Sequence, residues 1–281
     1  MGFNHDTVGK TYGPQEHTYT WQRPSLYALG CGAQVDDLDL LLETRGPKVL
    51  PTYSVVPVLD VLFVALKAIG GNMLTLVHGS QKCIIHKPIP AAATLKHSCD
   101  ISGLYDKGKG ALATFTTKSE DENGELIFET EWGIFYRGEG GFGGDRGPAT
   151  PDFAPPEGKA PDHRIEMPTA DTQALLYRLA SEDLNPIHSD PAVATKAGFP
   201  KPILHGLCTF GHAGRAVVNA VCGGDPTKVT SIEGRFSKPV FPGETICTDV
   251  WEIAEGEAYY LTSVKERDVP VITLGRVTYT K

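Results

Sequence analysis

No stretch of this 281-residue chain is apolar for long enough to cross a bilayer: the longest apolar run, residues 55–66, contains Pro57 and Asp60 and leads into Lys67. No Cys-x-x-C pair occurs either. The six cysteines, Cys31, Cys83, Cys99, Cys208, Cys222 and Cys247, are scattered, with no signal peptide before them. That pattern lacks zinc-ligand spacing and suits a reducing compartment. A basic excess is also missing. The formal charge of −8 argues against nucleic acid, whose phosphates need a cationic surface, so a phosphate-bearing ligand must be met by a local cluster. The closing residues V-T-Y-T-K do not match a peroxisomal S-K-L signal, and a cytoplasmic protein without membrane insertion is expected. With 41% hydrophobic residues, the chain has the composition of a globular protein.

The most chemically loaded stretch runs from Tyr177 to Gly206. Its D-L-N-P-I-H core places a carboxyl, an amide and an imidazole at Asp183, Asn185 and His188. Pro186 removes a backbone donor and biases Asn185 away from helix, so these side chains sit on a bent loop. A bend of this length can aim Asp183 and His188 at one water, an acid/base arrangement if burial and the neighbouring charge tune both groups. Asn185 suits orientation because it donates and accepts without titrating. A structural account stays open beside this one: an Asx-turn, then Asp190 capping a helix, with the histidine packed on the turn.

After Gly206 the run L-C-T-F-G-H-A-G-R-A-V-V-N-A-V-C reads as a buried helix ending near Gly223-Gly224. A glycine in its first turn lets a ligand approach unpaired N–H groups at the positive end of the helix dipole, where a developing oxyanion can be held. An ordinary glycine at a helix start is the alternative.

Along the rest of the chain, residues 1–18 read as an irregular or short-strand lead-in and residues 19–32 as a helix. Residues 36–42 read as a short helix or turn, and residues 50–71 as an apolar helix closed by Gly70-Gly71, too hydrophobic all round to lie on a surface. From Thr75 the period becomes two, with turns at D-K-G-K-G and D-E-N-G-E, marking antiparallel strands joined by hairpins. The order then repeats. Tyr27-Ala-Leu-Gly answers Tyr177-Arg-Leu-Ala, His86-Lys-Pro-Ile answers Ser237-Lys-Pro-Val, and Gly133 answers Gly275; the spacing from tyrosine to Lys-Pro differs by one residue between the halves. These are two copies of one α+β unit. The expected division is residues 1–136, a Gly/Pro-rich linker at 137–163, and 164–281. The linker's G-E-G-G-F-G-G lacks the following helix that a dinucleotide loop needs. In the first copy Cys31-Gly32-Ala33-Gln34 stands where the second has its acid and imidazole, so it can shape a pocket but not do the acid/base step. Residues 53–66 read either as the lining of an acyl pocket or as solid core.

These residues carry a resemblance. Y-R-L-A-S-E-D-L-N-P-I-H followed by P-I-L-H-G resembles the motif of MaoC-like (R)-specific enoyl-CoA hydratases, the hydratase 2 family, in the two-hotdog form found in the hydratase 2 region of peroxisomal multifunctional enzyme type 2. The likeness extends to Y-T-W-Q-R-P-S-L-Y-A-L-G-C-G, L-V-H-G-S-Q, L-Y-D-K-G-K-G and R-F-S-K-P-V-F-P-G, and so spans nearly the whole chain. It implies a double hotdog, an acyl-CoA substrate, reversible syn hydration of a trans-2-enoyl-CoA to the (3R)-hydroxyacyl-CoA in fatty-acid metabolism, no metal, no cofactor beyond the substrate's own coenzyme A, and a homodimer. Carried over residue by residue, Asp183, His188, Asn185 and Gly206 would be catalytic, and His78, Gly79, Lys107, Leu184, Pro186, Ile187 and Phe236 would contact substrate. Lys107 sits in the D-K-G-K turn, where an ammonium can meet a CoA phosphate. His78, His86, His97 and His205 are read as packed, hydrogen-bonded residues and not as acid/base groups. One departure stands out: the family has Ser-Gly-Asp where this chain has Ser181-Glu182-Asp183, and a carboxylate there would raise the Asp183 pKa if it pointed inward. A thioesterase or a catalytically idle acyl-CoA-binding subunit are the alternatives.

Overall fold

The period-two segments form ten antiparallel strands in one sheet, in a computed structural model that describes residues 2–73 and 75–281. In the first half β1 (Thr11–Tyr19) is followed by α1 (Gln22–Gly30), α2 (Leu38–Leu41), α3 (Leu59–Ile69), β2 (Leu76–Ile85), β3 (Ala93–Asp106), β4 (Gly110–Glu120) and β5 (Leu126–Arg137). The second half runs β6 (His163–Pro168), α4 (Gln173–Ser181), α5 (Pro191–Lys196), α6 (Gly206–Val221), β7 (Val229–Phe236), β8 (Thr245–Ala254), β9 (Glu257–Val264) and β10 (Val269–Tyr279).

The sheet order is β1-β3-β4-β5-β2-β7-β10-β9-β8-β6. Read outward from its centre, each half has the same sequence of strands. The Lys-Pro pairs that suggested a repeat follow β2 and β7, the two central strands, which pair from Ser80↔Arg235 to Ile84↔Ser231. The chain is therefore a double hotdog in which both units share one main-chain hydrogen-bond network. The matched helices meet as well. The rings of Tyr27 in α1 and Tyr177 in α4 lie 5.7 Å apart, and a side chain on Gly30 would come within 3.1 Å of the Tyr177 Cα, so glycine is what allows this close crossing.

The two central helices differ. α6 buries every residue from Cys208 to Val218. Residues 50–71 do not form the single buried helix expected: a 3-10 turn spans Pro51–Val55, and α3 begins only at Leu59. Pro57 has no N–H to continue a ladder through this region. Residues 53–58 are core, whereas Phe63 and Val64 are 42% and 40% exposed. With Asp60 and Lys67 they face an open groove of about 680 Å³ beside Gln15 and Glu16 of β1. The helix is thus buried on one face only.

A partly buried ion pair joins the halves. Arg215 of α6 reaches Asp37 at 2.9 Å and donates to the Cys31 carbonyl. His212, one turn earlier, leaves so little room that a side chain on Gly32 would sit 2.7 Å from its Nε2, and Gly32 also has φ +80°. The first half's counterpart of the catalytic loop is therefore packed against α6. The glycine-rich linker is pinned too, because the Asp106 carboxylate accepts from the N–H groups of Gly108, Gly141 and Gly143.

Candidate active site

α4 ends at Ser181, and the next residue turns left-handed: Glu182 has φ 61°. Glycine would adopt this conformation at little cost, which gives a physical reason for a glycine there in the resembling motif. Glu182 does not point toward Asp183's site as the inward-pointing alternative would require. Its carboxylate pairs with Arg23 of α1 at 2.7 Å, and Arg23 also donates to the Leu179 carbonyl at the end of α4. The added negative charge is thus compensated by the other half.

The loop then folds tightly. Asp183 Oδ1 accepts from the Asn185 N–H at 3.1 Å, and Asn185 Oδ1 from the Ile187 N–H at 3.2 Å, capping a 3-10 turn at Pro186–His188. Asp190 caps α5 by accepting from Ala192 and Val193. The Asx-turn and cap that formed the structural account are both present. Asn185 is used, by its oxygen, to shape the loop.

His188 is half-buried, and its Nδ1 lies 2.9 Å from the Ile203 carbonyl. A carbonyl only accepts, so Nδ1 carries the proton and Nε2 is the basic nitrogen. Burial lowers the His188 pKa below its usual value, opposed by the Ile203 bond and the Asp183 charge. The imidazole is consequently a neutral base at neutral pH, with Asp183 close by.

His205, the N-cap of α6, lies directly on this pair. Its ring stacks on His188 with centroids 3.8 Å apart and planes at 25°, and its Nε2 meets the Asp183 main-chain carbonyl at 3.2 Å. Donor atoms of Asp183, His188 and His205 all lie within 4.8 Å of one another. The lone pair of an imidazole nitrogen lies in its ring plane, and two nearly parallel rings 3.8 Å apart do not converge their lone pairs on one point. A cleft of about 270 Å³, bordered by Leu175, Lys201, Pro202 and Pro242, reaches His188. Gly206 opens α6 next to His205, and a side chain there would touch the Phe236 ring at 3.6 Å.

Sequence reasoning placed His205 among packed residues. It is packed, but against both members of the acid/base pair; its position next to Gly206 in P-I-L-H-G was the available signal.

The first half supplies His78, at the end of β2 nearest the site. Its ring stacks on Trp132 at 5.0 Å and lies 4.7 Å from Phe236. Burial pushes its pKa down to about 4, and its Nε2 is bonded to the Ser80 carbonyl. Gly79 occupies the register shift between β2 and β5, where a side chain would press on the Gly133 carbonyl at 3.1 Å. Phe236 thereby links His78 to Gly206. Leu184 and Pro186 are exposed on the outer side of the loop and Ile187 is half-buried. Lys107 is not held free for a phosphate: its amine donates to the Arg146 carbonyl in the linker and lies 5.9 Å from the centre of the Tyr105 ring.

Residues 17–138 match the MFE-2 hydratase 2 N-terminal domain and residues 152–273 the MaoC like domain. A 3-hydroxyacyl-thioester dehydratase Y of Mycobacterium tuberculosis is 44% identical, over 95% of this chain and 94% of its own. The chain belongs to the MaoC-like hydratase 2 family. The Arabidopsis thaliana protein named enoyl-CoA hydratase 2, peroxisomal, is 40% identical over 96% of this chain and 94% of its own. The crystal structure of a MaoC-like dehydratase from Phytophthora capsici superposes with a TM-score of 0.87 at 34% identity, covering 99% of this chain and 98% of that one. In this hydratase 2 chain, no helix among the described residues is long and apolar enough to cross a membrane.

Proposed function

We propose that the protein is an (R)-specific 2-enoyl-CoA hydratase, a hydro-lyase adding water reversibly to trans-2-enoyl-CoA to give (3R)-3-hydroxyacyl-CoA. The observation that carries this reading is the clustering of Asp183, His188 and His205, whose side-chain donor atoms lie within 4.8 Å of one another, with Gly206 next in the chain at the start of α6. Water held between Asp183 and His188 loses one proton to the pair as its oxygen bonds to C3, and the pair returns one proton to C2. Electron density that moves onto the thioester oxygen meets the Gly206 N–H at the positive end of α6. Nothing else has to be oxidised or reduced.

His78, Gly79, Phe236 and the loop residues Leu184, Pro186 and Ile187 would flank the acyl-CoA. Lys107 would have to exchange its linker carbonyl for a phosphate to take part. No resident cofactor or metal is invoked; coenzyme A belongs to the substrate. A role in fatty-acid oxidation and a homodimeric state are part of the proposal, drawn from the family. Six free, buried cysteines support a reducing compartment such as the cytoplasm, while the Arabidopsis relative is named peroxisomal.

Two simultaneous signals test the activity. Loss of enoyl-thioester absorbance with no thiol release is expected; thiol release would mark a thioesterase, and neither change would mark a binding subunit.

A further inference from the structure

One residue joins His188, the Asp183 main chain and the start of α6 without being needed for the proton transfers themselves. His205 stacks on His188, donates through Nε2 to the carbonyl of Asp183, and is joined by a peptide bond to Gly206. We propose that His205 is the positioning residue of the hydration step, a neutral imidazole that locks the acid, the base and the oxyanion donor in one geometry. The inference rests on the hydratase reading above.

The protonation pattern follows from the hydrogen bonds. Asp183's carbonyl can only accept, so His205 carries its proton on Nε2 and leaves Nδ1 with a lone pair. That Nδ1 is buried with no hydrogen-bond partner, an arrangement that costs free energy and persists where the surrounding structure gains from it. The ring itself is 1% exposed. Protonating Nδ1 would place a second cation against the base just as His188 takes up its proton. Burial, reinforced by His188, holds the His205 pKa down to about 4, while Asp183 raises it and Arg178 lowers it further. The other neighbour is the neutral phenol of Tyr177, with ring centroids 5.0 Å away.

Behind Tyr177 the support continues. Tyr177 meets Tyr27 at 5.7 Å, Tyr27 meets Tyr53 at 5.4 Å, and Tyr53 meets Tyr19 of β1 at 5.4 Å. A file of rings thus runs from the edge strand of the first half to the catalytic base in the second. His205 is the link at which this rigid file becomes chemistry. Without it His188 keeps its Ile203 bond but loses the surface that fixes its tilt, and the start of the D-L-N-P-I-H loop loses a main-chain anchor.

Three variants separate the two contacts. His205→Gln keeps an amide donor toward the Asp183 carbonyl and loses the ring; His205→Phe keeps the ring and loses the donor; His205→Ala loses both. Steady-state hydration of trans-2-enoyl-CoA is measured across roughly pH 5 to 9, spanning the ordinary histidine range, with folding checked by circular dichroism. For alanine, kcat is expected to fall on the order of 10²-fold with KM little changed, the size of a misplacement effect. Glutamine and phenylalanine should each recover part of that loss. The acid limb of the kcat profile should also move upward in the alanine variant, because water reaching His188 returns its pKa toward the ordinary value, and should stay in place in the phenylalanine variant. Folded alanine protein with wild-type kcat and an unmoved acid limb overturns the proposal; if alanine does not fold, wild-type kcat in both glutamine and phenylalanine overturns it. Absence of hydration by the wild-type protein refutes the hydratase reading itself, a different result.

Discussion

Arg23 of α1 and Glu182 at the end of α4 form an ion pair at 2.7 Å that ties the first half to the residue immediately before Asp183. The pair is partly exposed, so its net contribution lies within about 1 kcal/mol. The left-handed backbone at Glu182 works against it by a similar amount, about 1 kcal/mol.

Replacing Glu182 with glycine removes both effects. The expected outcome of Glu182→Gly is therefore a melting temperature within a few degrees of wild type and kcat within about twofold, since Asp183 keeps its Asn185 and His205 contacts. Thermal melts and steady-state kinetics check this.

The acid/base pair itself is less forgiving. Asp183→Asn and His188→Gln should each lower kcat by roughly 10²- to 10⁴-fold with the melting temperature close to wild type, because both side chains are only partly buried. A loss confined to KM would assign them to binding instead.

Beneath the site, Arg215 and Asp37 provide a stability test. Arg215 is 6% exposed, and cutting its partner leaves a buried charge. Asp37→Asn should cost about 3 kcal/mol. Removing both charges in Asp37→Asn with Arg215→Met should restore much of that loss, as read from urea midpoints.

Histidines kept neutral by burial give stability a pH slope. The pKa is held at about 4 for His78, His205 and His212, and about 3 for His97. The unfolded chain takes up these protons near pH 6.5 while the folded chain does not, so stability is fully present above that value and falls with pH down toward about 4. Each tenfold weakening of proton binding on folding corresponds to about 1.4 kcal/mol per group. Melting temperature should drop between about pH 7 and 4.5, and His97→Gln should flatten that drop.

The duplication could be read from the sequence because Lys87-Pro88 and Lys238-Pro239 follow the two central strands, and because the D-K-G-K-G and D-E-N-G-E turns stand between period-two runs. The bent loop at 182–188 was readable from Pro186 and its flanking polar residues. What escaped depended on distant partners. β1 is an edge strand whose outward residues are polar, so it lacks the apolar alternation that marks a strand. Lys107 is claimed by Arg146, and Glu182 by Arg23. His205 stands beside Gly206 in the sequence, but its stacking on His188 and its bond to the Asp183 carbonyl form only when the loop from Glu182 to His188 turns back over α6.

Because β2 and β7 are joined edge to edge, the covalent bridge at 138–162 is not what holds the halves together. A cut near Pro151 would leave a nicked protein assembled and active, whereas either fragment made alone would carry a raw strand margin seeking another chain.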